Sequence, residues 1–358
     1  MKLLVVATPL GPIGSGRGGG VEITLSSLVA GLQQRGHRIT VLAAAGTELP
    51  ASCAGADLWI CHGSPQQSAQ HLQRQAPITL AADGLLPRFW RRVLAEGPAA
   101  GFDAVLNLAY DWLPLWLTPT TSLPLFHLVS MGSVGEAMDQ AIAELAAWDG
   151  RRLAFHTAVQ AADFKLPQAP VVVGNGFDLQ AYELCLEPDA LLGWVGRIAP
   201  EKGLEDAAAA AACCGLPLAV WGLREDETYA AAVEASVPAG TLQWRGFLPT
   251  AALQAQLGRC RALLNTPKWN EAYGNVVVEA MACGVPVVAY RRGGPGELVQ
   301  PGLNGLLVEP DDVTALAAAV QQVDRIDRSA CRRWAEHHAS RAALAERVEA
   351  WLLAGLQR

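Results

Sequence analysis

Short apolar runs alternate with helical patterns along the chain. Between the first two runs, apolar residues at Val21, Leu25, Leu28 and Leu32 recur with the period of a helix, and Gly36 ends it. Such alternation is typical of parallel α/β units, in which a helix follows each strand. The first seven predicted strands are residues 2–8, 38–44, 57–62, 103–109, 124–130, 152–157 and 170–175.

A second series of the same kind begins after residues 175–188, whose turn residues and acids indicate a hinge. An alanine-rich helix is predicted at 204–214, and the amphipathic stretch 341–356 is predicted to be the last helix. The pattern therefore predicts an α/β protein with two doubly wound, Rossmann-like domains facing a central cleft. Its six further strands are residues 191–197, 216–222, 242–246, 262–267, 285–290 and 305–310.

Composition supports this division. A length of 358 residues suits two domains of roughly 150 residues. We expect boundaries at 1–174 and 175–340, with helix 341–358 packing back onto the first domain. The net charge of −7 argues against nonspecific binding to nucleic acid or to an anionic membrane.

Cysteine usage and the apolar runs indicate a compartment. The eight cysteines show no C-x-x-C spacing, which favours buried thiols in a reducing cytoplasm over disulfides or zinc. The first apolar run is broken at Pro9, too early for a signal peptide, and residues 105–117 are too polar for a membrane span. We therefore expect a soluble cytoplasmic protein with no membrane insertion.

Glycines precede the first helix. Gly14, Gly16 and Gly19 spell the dinucleotide fingerprint G-x-G-x-x-G, but the strand ends near Thr8, and the second strand lacks an acid for the ribose. A looser interpretation is that the glycine backbone approaches an anion at the helix N-terminus. The alternative is a flexible surface loop.

Two cations follow the first strand of the second domain. Arg197 and Lys202 lie in GRIAPEKG, at the strand's carboxyl end, where open α/β sheets bind ligands. A guanidinium fork and an ammonium group aimed at one place suit a diphosphate. The alternative is a pair of solvated surface cations.

A second helix N-terminus lies within residues 270–284. The helix is predicted to start near Asn275, and Gly284 supplies a left-handed cap. The amides around Gly274, Asn275 and Val276 would then form another anion site.

Two acids flank that helix start. Glu279 lies one turn inside the helix, on the face of Asn275, where a carboxylate can hold the hydroxyl pair of a ribose. Glu271 precedes the helix, near whatever is attached beyond the anion. Taken alone, two glutamates eight positions apart are better explained as ordinary solvated acids.

Aromatic residues cluster after the fourth predicted strand. Tyr110, Trp112 and Trp116 suit stacking on a flat ring, with Asp111 and Ser130 as polar contacts. The alternative is that these are core aromatics, Trp116 above all. The chain has no P-loop, no G-x-S-x-G, no H-E-x-x-H and no D-x-D motif, so we expect no metal and no cofactor.

These motifs, in this order, resemble the retaining GT-B glycosyltransferases of the glycosyltransferase 4 family over almost the whole chain. The matching segments are GRGGGVE, NGFD, GRIAPEKG, EAYGNVVVEAMACGVPVVA and GLLVEPDD. The resemblance implies that Glu279 holds the ribose of a nucleotide sugar and that Glu271 lies at the donor sugar. It also implies that Arg197 and Lys202 neutralise the leaving diphosphate.

The resemblance assigns further donor contacts. Gly19 and Gly20 would approach the diphosphate, the amides of residues 274–276 would complete its cradle, and Arg245 and Phe247 would flank the base. The N-terminal segments are most similar to a group within the family, the bacterial UDP-glucose:tetrahydrobiopterin glucosyltransferases. The implied reaction is metal-independent hexosyl transfer, with retained configuration, from UDP-glucose to a pterin side-chain hydroxyl.

For the acceptor we expect contacts from Tyr110, Asp111, Trp112, Ser130 and Met131, although Asp111 is equally well explained as a helix cap. One departure from the family is that Ser130 occupies the place of its usual histidine; His127 lies earlier on the strand. Three alternatives remain: a sugar or lipid acceptor on the same fold, an NAD-dependent dehydrogenase, and a protein that only binds.

Overall fold

A computed structural model describes residues 1–15 and 17–357. The chain divides into two compact units, Met1–Phe177 with Arg341–Arg358, and Asp178–Ser340. Each unit contains one parallel sheet with helices on its faces, so the prediction of two Rossmann-like α/β domains is confirmed.

The first sheet has seven parallel strands in the order β3-β2-β1-β4-β5-β6-β7. Their cores read as continuous valine, leucine and isoleucine runs because helices cover both faces. The strands are β1 (Lys2–Val6), β2 (Arg38–Ala44), β3 (Asp57–Cys61), β4 (Ala104–Asn107), β5 (Leu125–Val129), β6 (Leu153–Phe155) and β7 (Val171–Val172).

Five α-helices follow these strands in the part of the first 177 residues that the structure describes. Those before β2 and before β4 pack on opposite faces of the sheet, so Leu28 belongs to one apolar cluster and Phe89 to another. The helices are α1 (Gly20–Gln34), α2 (Leu85–Ala100), α3 (Trp112–Leu117), α4 (Glu136–Asp149) and α5 (Ala158–Ala162).

The second sheet has six parallel strands in the order β10-β9-β8-β11-β12-β13. The strands are β8 (Leu192–Val195), β9 (Leu218–Trp221), β10 (Leu242–Gly246), β11 (Ala262–Asn265), β12 (Val287–Tyr290) and β13 (Gly305–Val308). Its helices are α6 (Leu204–Cys214), α7 (Glu227–Ala235), α8 (Thr250–Leu257), α9 (Asn275–Ala282), α10 (Gly293–Leu298), α11 (Val313–Val320) and α12 (Arg328–Ala339).

The last helix, α13 (Arg341–Leu356), packs on α1 in the first unit. Gly31 makes the close approach possible, because a Cβ there would lie 2.8 Å from the Cβ of Ala345. Just after the C-terminal end of α1, His37 donates a hydrogen bond to Glu349 at 2.8 Å, and Arg35 forms an ion pair with the same carboxylate.

All eight thiols are free. The prediction of buried cysteines holds for Cys53, Cys260, Cys283 and Cys331, whereas Cys213 is exposed. Within the described residues, no helix is both long enough and apolar enough to cross a membrane.

Candidate functional site

The strand order of the second unit defines where its loops diverge. The chain leaves β8 toward β9 on one side, and β11 lies on the other side of β8. Ligands of open α/β sheets bind outside the carboxyl ends of the strands at such a switch point. The loop after β8 contains Arg197 and Lys202, and the loop after β11 contains Glu271.

Glycine allows these loops to approach closely. Gly203 has a φ of 65°, and a Cβ there would overlap the carbonyl oxygen of Thr266. The Thr266 hydroxyl in turn donates to the Gly203 carbonyl at 2.6 Å. The loops after β8 and β11 are therefore locked together at the switch point.

Lys202 and Glu271 meet there as an ion pair, in which Lys202 Nζ donates to Glu271 Oε1. Glu271 is only 8% exposed, and Lys202 also lies 5.2 Å from the centre of the Trp269 ring. The backbone carbonyl of Glu271 accepts from Gly294 N at 2.7 Å. Side chain and main chain of Glu271 are thus both held, and interpreting it as a solvated acid is wrong.

Arg197 is paired with two carboxylates. Its guanidinium donates to Glu225 at 2.6 Å and to Glu201 at 2.8 Å. The side chain is 31% exposed, so an anion that reached it would compete with carboxylates already in contact with solvent.

The segment before Glu271 is fastened from its other side. Arg292 donates to the Pro267 carbonyl at 2.8 Å and to Asp311 at 2.8 Å, and Lys268 donates to Asp311 at 2.9 Å. Asp311 has a φ of 69°, a left-handed conformation uncommon for a residue with a side chain. Hydrogen bonds from Arg292 and then Lys268 hold the pKa of Asp311 below its usual value.

Helix α9 starts and ends as predicted. Gly274, with a φ of 97°, is its N-cap, and Gly284, with a φ of 79°, follows its last turn. Amides of a first helical turn have no partner within the helix, so those of Asn275 and Val276 lie at the positive end of its dipole. The helix also places Glu279 one turn inside.

Glu279 is buried, at 7% exposed, and accepts a hydrogen bond from the Tyr182 hydroxyl at 3.0 Å. Burial raises the pKa of Glu279, and the Tyr182 bond partly offsets that shift. Tyr182 was missed from the sequence; its only signal is an aromatic residue within the predicted hinge segment. Solvated acid is therefore a wrong description of Glu279 too.

The residues assigned to the base lie at the end of β10. Arg245 is exposed and donates to Gln243 at 2.7 Å, and Phe247 is 66% exposed. Beside them, the Arg224 guanidinium lies 4.1 Å from the centre of the Trp244 ring, a stacking that the sequence analysis did not predict.

The glycine loop of the first unit already holds an anion of its own. Gly14 N donates to Glu22 Oε2 at 2.9 Å, and Gly18 N donates to Glu22 Oε1 at 2.7 Å. These two amides are therefore occupied by Glu22, whereas the contacts predicted for Gly19 and Gly20 stay predictions. Gly19 is the N-cap of α1, Gly20 is its first residue, and Gly16 lies outside the described residues.

The aromatic stretch of the first unit is only partly in the core. Tyr110 is half-buried and donates to the Gly132 carbonyl at 3.1 Å. Trp112 and Trp116 stack on each other with centres 5.6 Å apart. Trp116 is 54% exposed, so its interpretation as a core residue is wrong.

Asp111 lies at the N-cap of α3, where its side chain makes no capping hydrogen bond of good geometry, although the backbone N–H groups of Leu113 and Trp112 counteract the rise in its pKa. It accepts instead from Gln66 Nε2, and burial, at 6% exposed, raises its pKa. Ser130 and Met131 follow β5 and are half-buried; the Met131 carbonyl accepts from Gln160 at 2.9 Å.

His127 has a structural place. Asn107 Nδ2, a donor, faces His127 Nδ1 at 3.1 Å, so Nδ1 accepts and Nε2–H donates to Thr118 Oγ1 at 2.7 Å. Burial lowers the pKa of His127 to about 3, with a smaller contribution from Arg152. Both ring nitrogens are engaged, and the ring stays neutral near pH 7.

Known proteins match this chain in part by sequence and in full by fold. Residues 183–341 match the family described as Glycosyl transferases group 1. The chain is 38% identical to the 2-deoxystreptamine N-acetyl-D-glucosaminyltransferase of Streptomyces fradiae over 137 residues. This aligned stretch covers 36% of this chain and 32% of that enzyme. The first curated relatives are matched over no more than a third of their own length.

Solved structures match over the full chain. AviGT4, a glycosyltransferase involved in avilamycin A biosynthesis, is 21% identical with a TM-score of 0.73, covering 100% of this chain and 99% of its own. Anabaena HepE, in complex with UDP and glucose, is 19% identical with a TM-score of 0.72, covering 99% and 100%. The prediction of a GT-B fold is confirmed, and the second unit carries the group 1 match.

Proposed function

We propose that this chain is a retaining glycosyltransferase that moves glucose from UDP-glucose to a side-chain hydroxyl of a reduced pterin. The observation that carries the proposal is the ion pair of Lys202 with the buried Glu271, at the switch point beside the N-terminus of α9. A catalytic group needs to be held in place before substrate arrives, and these two are.

The donor roles follow from the chemistry of these groups. Glu279, which is buried and oriented by Tyr182, would accept hydrogen bonds from the two ribose hydroxyls. The first-turn amides of α9 would face the diphosphate, whose charge Arg197 and Lys202 would neutralise as it leaves. Glu271 would then lie at the donor sugar. The roles of Gly19, Gly20, Arg245 and Phe247 stay predictions.

The transfer step balances without a protein base. The bond from the sugar's anomeric carbon to the diphosphate breaks, and a bond from that carbon to the acceptor oxygen forms on the same face. The acceptor's proton passes to the departing diphosphate oxygen, as the family resemblance implies. No step requires a metal if Arg197 and Lys202 meet the charge. Within the described residues, no group of three or more His, Cys, Asp or Glu side chains is arranged to hold one.

Support for the donor and the acceptor differs in kind. The likeness to Anabaena HepE, whose structure contains UDP and glucose, supports a UDP-sugar. The pterin rests on the N-terminal sequence resemblance and on Asp111 beside a half-buried aromatic. A sugar acceptor is the second candidate, because the exposed face of Trp116 offers a flat apolar surface on which sugars can stack.

The experiment is a panel of nucleotide sugars, each with tetrahydrobiopterin or with simple sugars, scored by nucleotide release and product mass. A hexose gained by the pterin from UDP-glucose supports the proposal. A hexose gained only by the sugars replaces the pterin with the second candidate. No nucleotide release with any pair would reject the transferase.

A further inference from the structure

The first sheet has a switch point of its own, which the donor roles above do not use. The chain leaves β1 toward β2, whereas β4 lies on the other side of β1 and leads on to β5. Pro9 follows β1 and Asp111 follows β4. Loops that diverge from neighbouring parallel strands leave a crevice at their carboxyl ends.

Gln66 bridges the two strand ends. Its backbone N–H donates to the Pro9 carbonyl at 2.9 Å, and its side-chain Nε2 donates to Asp111 Oδ2. It belongs to the long segment between β3 and α2, which is further tied down where Ser64 N donates to Asp83 O at 3.0 Å. The amide and the carboxylate are therefore fixed next to each other.

The pair has hydrogen-bonding capacity left over. A carboxylate offers about four acceptor sites, and a primary amide nitrogen carries two hydrogens, of which Asp111 uses one. Asp111 is 6% exposed, so its carboxylate has lost most of its water. Gln66 and the backbone N–H groups of Trp112 and Leu113 offset only part of the cost of burying this carboxylate. A ligand that adds donors would lower the remaining cost.

We propose that Asp111 and Gln66 together read the edge of a flat heterocycle that presents an amino group, a ring N–H and a carbonyl in a row. The Asp111 oxygens accept from the amino group and the ring N–H. The second hydrogen of Gln66 Nε2 donates to the carbonyl. This proposal rests on the proposed pterin acceptor, whose ring carries that edge, and it makes Asp111 and Gln66 specificity determinants.

The competing explanation is that the pair only fastens the segment between β3 and α2. A fastening role would change stability, or weaken every acceptor alike. Recognition would change the choice between acceptors. The test therefore compares tetrahydrobiopterin with the same reduced ring and side chain carrying a carbonyl in place of the amino group.

Steady-state transfer from UDP-glucose is measured for both acceptors on the full chain, and UDP affinity is measured alongside. The wild type should prefer the amino compound by about tenfold or more in kcat/KM. Asp111→Asn should raise the KM for tetrahydrobiopterin by about 10- to 100-fold and abolish the preference between the two acceptors, with UDP affinity unchanged. Gln66→Ala should weaken the preference. Gln67→Ala, at the exposed neighbour, should behave as the wild type.

An unchanged preference in Asp111→Asn and Gln66→Ala, with pterin still glucosylated, would overturn this inference alone. A wild type that glucosylates no pterin would overturn the proposed acceptor and this inference with it, while UDP binding would still report on the donor site. If Asp111→Asn does not fold, the wild type and Gln66→Ala decide. A wild type that shows no preference for the amino compound would contradict the role of the pair.

Discussion

Lys202 and Glu271 form an ion pair although 69 positions separate them in the chain. Their loops follow β8 and β11, the two neighbouring strands between which the strand order of the second sheet reverses. Because Glu271 is buried, removal of Lys202 would leave a desolvated carboxylate without its counter-ion. The pair therefore links the stability of these loops to the placement of the proposed catalytic groups.

The first prediction concerns Arg197. Arg197→Ala should lower kcat by about 100-fold or more while raising the donor KM much less, because its charge is needed as the diphosphate leaves. Steady-state kinetics with varied UDP-glucose measure both constants. Arg259→Ala removes an exposed arginine paired with Asp189 and should change neither. Equal losses in kcat for the two variants would contradict the role of Arg197.

The carboxylates on Arg197 allow a test in the opposite direction. If the diphosphate displaces Glu225, Glu225→Gln should tighten UDP binding, by no more than about fivefold because exposed pairs are weak. Titration calorimetry with UDP measures the difference. Weaker binding would mean that Glu225 supports Arg197 rather than competing for it.

The second prediction concerns Glu279. Glu279→Ala should weaken UDP binding by about 10- to 100-fold, because hydrogen bonds to a charged acceptor are strong. Tyr182→Phe should weaken it less, since the carboxylate remains but loses its orienting hydroxyl. Glu183→Ala removes an exposed acid nearby and serves as the control. Calorimetry that finds wild-type affinity in Glu279→Ala would place the ribose elsewhere.

Acidification gives the same site a pH signature. Burial raises the pKa of Glu279, so protonation removes its acceptor charge at a higher pH than for an ordinary glutamate. UDP affinity should therefore fall on mild acidification in the wild type. In Glu279→Gln, which cannot titrate, this part of the pH dependence should be absent.

The third prediction is metal independence. In the proposed reaction, Arg197, Lys202 and the N-terminus of α9 would supply the positive charge that a metal supplies in other transferases. Activity should survive excess EDTA, and added magnesium or manganese should not raise it. Loss of activity with EDTA, with recovery on adding either metal, would contradict this account of the leaving group.

The fourth prediction concerns stability. His127 titrates near pH 6.5 when unfolded but only at about 3 when folded, so between these values the unfolded chain binds more protons. The free energy of unfolding should therefore fall on acidification, with a contribution of about 2 kcal/mol from His127 between pH 7 and 5. Urea unfolding at several pH values measures it.

His127→Gln separates this contribution from those of other groups. The variant should be less stable at pH 7 because it loses bonds to Asn107 and Thr118. It should also lose less stability between pH 7 and 5 than the wild type does. Parallel pH profiles for the two proteins would show that His127 is not the titrating group.

The sequence predicted the strands well because their apolar runs are long and their turns are marked. Gly284 and the start of α9 at Asn275 were found for the same reason, since both are local features. Arg197, Lys202 and Glu271 were proposed from motif and order, and their roles stay predictions. The pattern did not reveal the ion pair between Lys202 and Glu271. The two residues meet only because β8 and β11 are neighbours in the sheet, and strand order cannot be read from the apolar pattern.

Contacts between distant segments were missed. Gln66 and Asp111 are 45 positions apart, and nothing in the turn-rich segment around Gln66 marks a partner. Glu22 resembles any acid in a first helical turn, and only the loop's curvature brings Gly14 to it. Only the alternative of a core position failed for Trp116, because an aromatic residue among leucines fits a core pattern whether or not another layer covers it.

The most direct test of the central claim is proton NMR of the product formed from UDP-glucose and tetrahydrobiopterin. The account predicts a pterin carrying one glucose, released together with UDP, whose anomeric proton has the small coupling of an α-linkage, the configuration of the donor. A β-linked glucoside would contradict retention, and an unmodified pterin in the presence of active enzyme would contradict the acceptor.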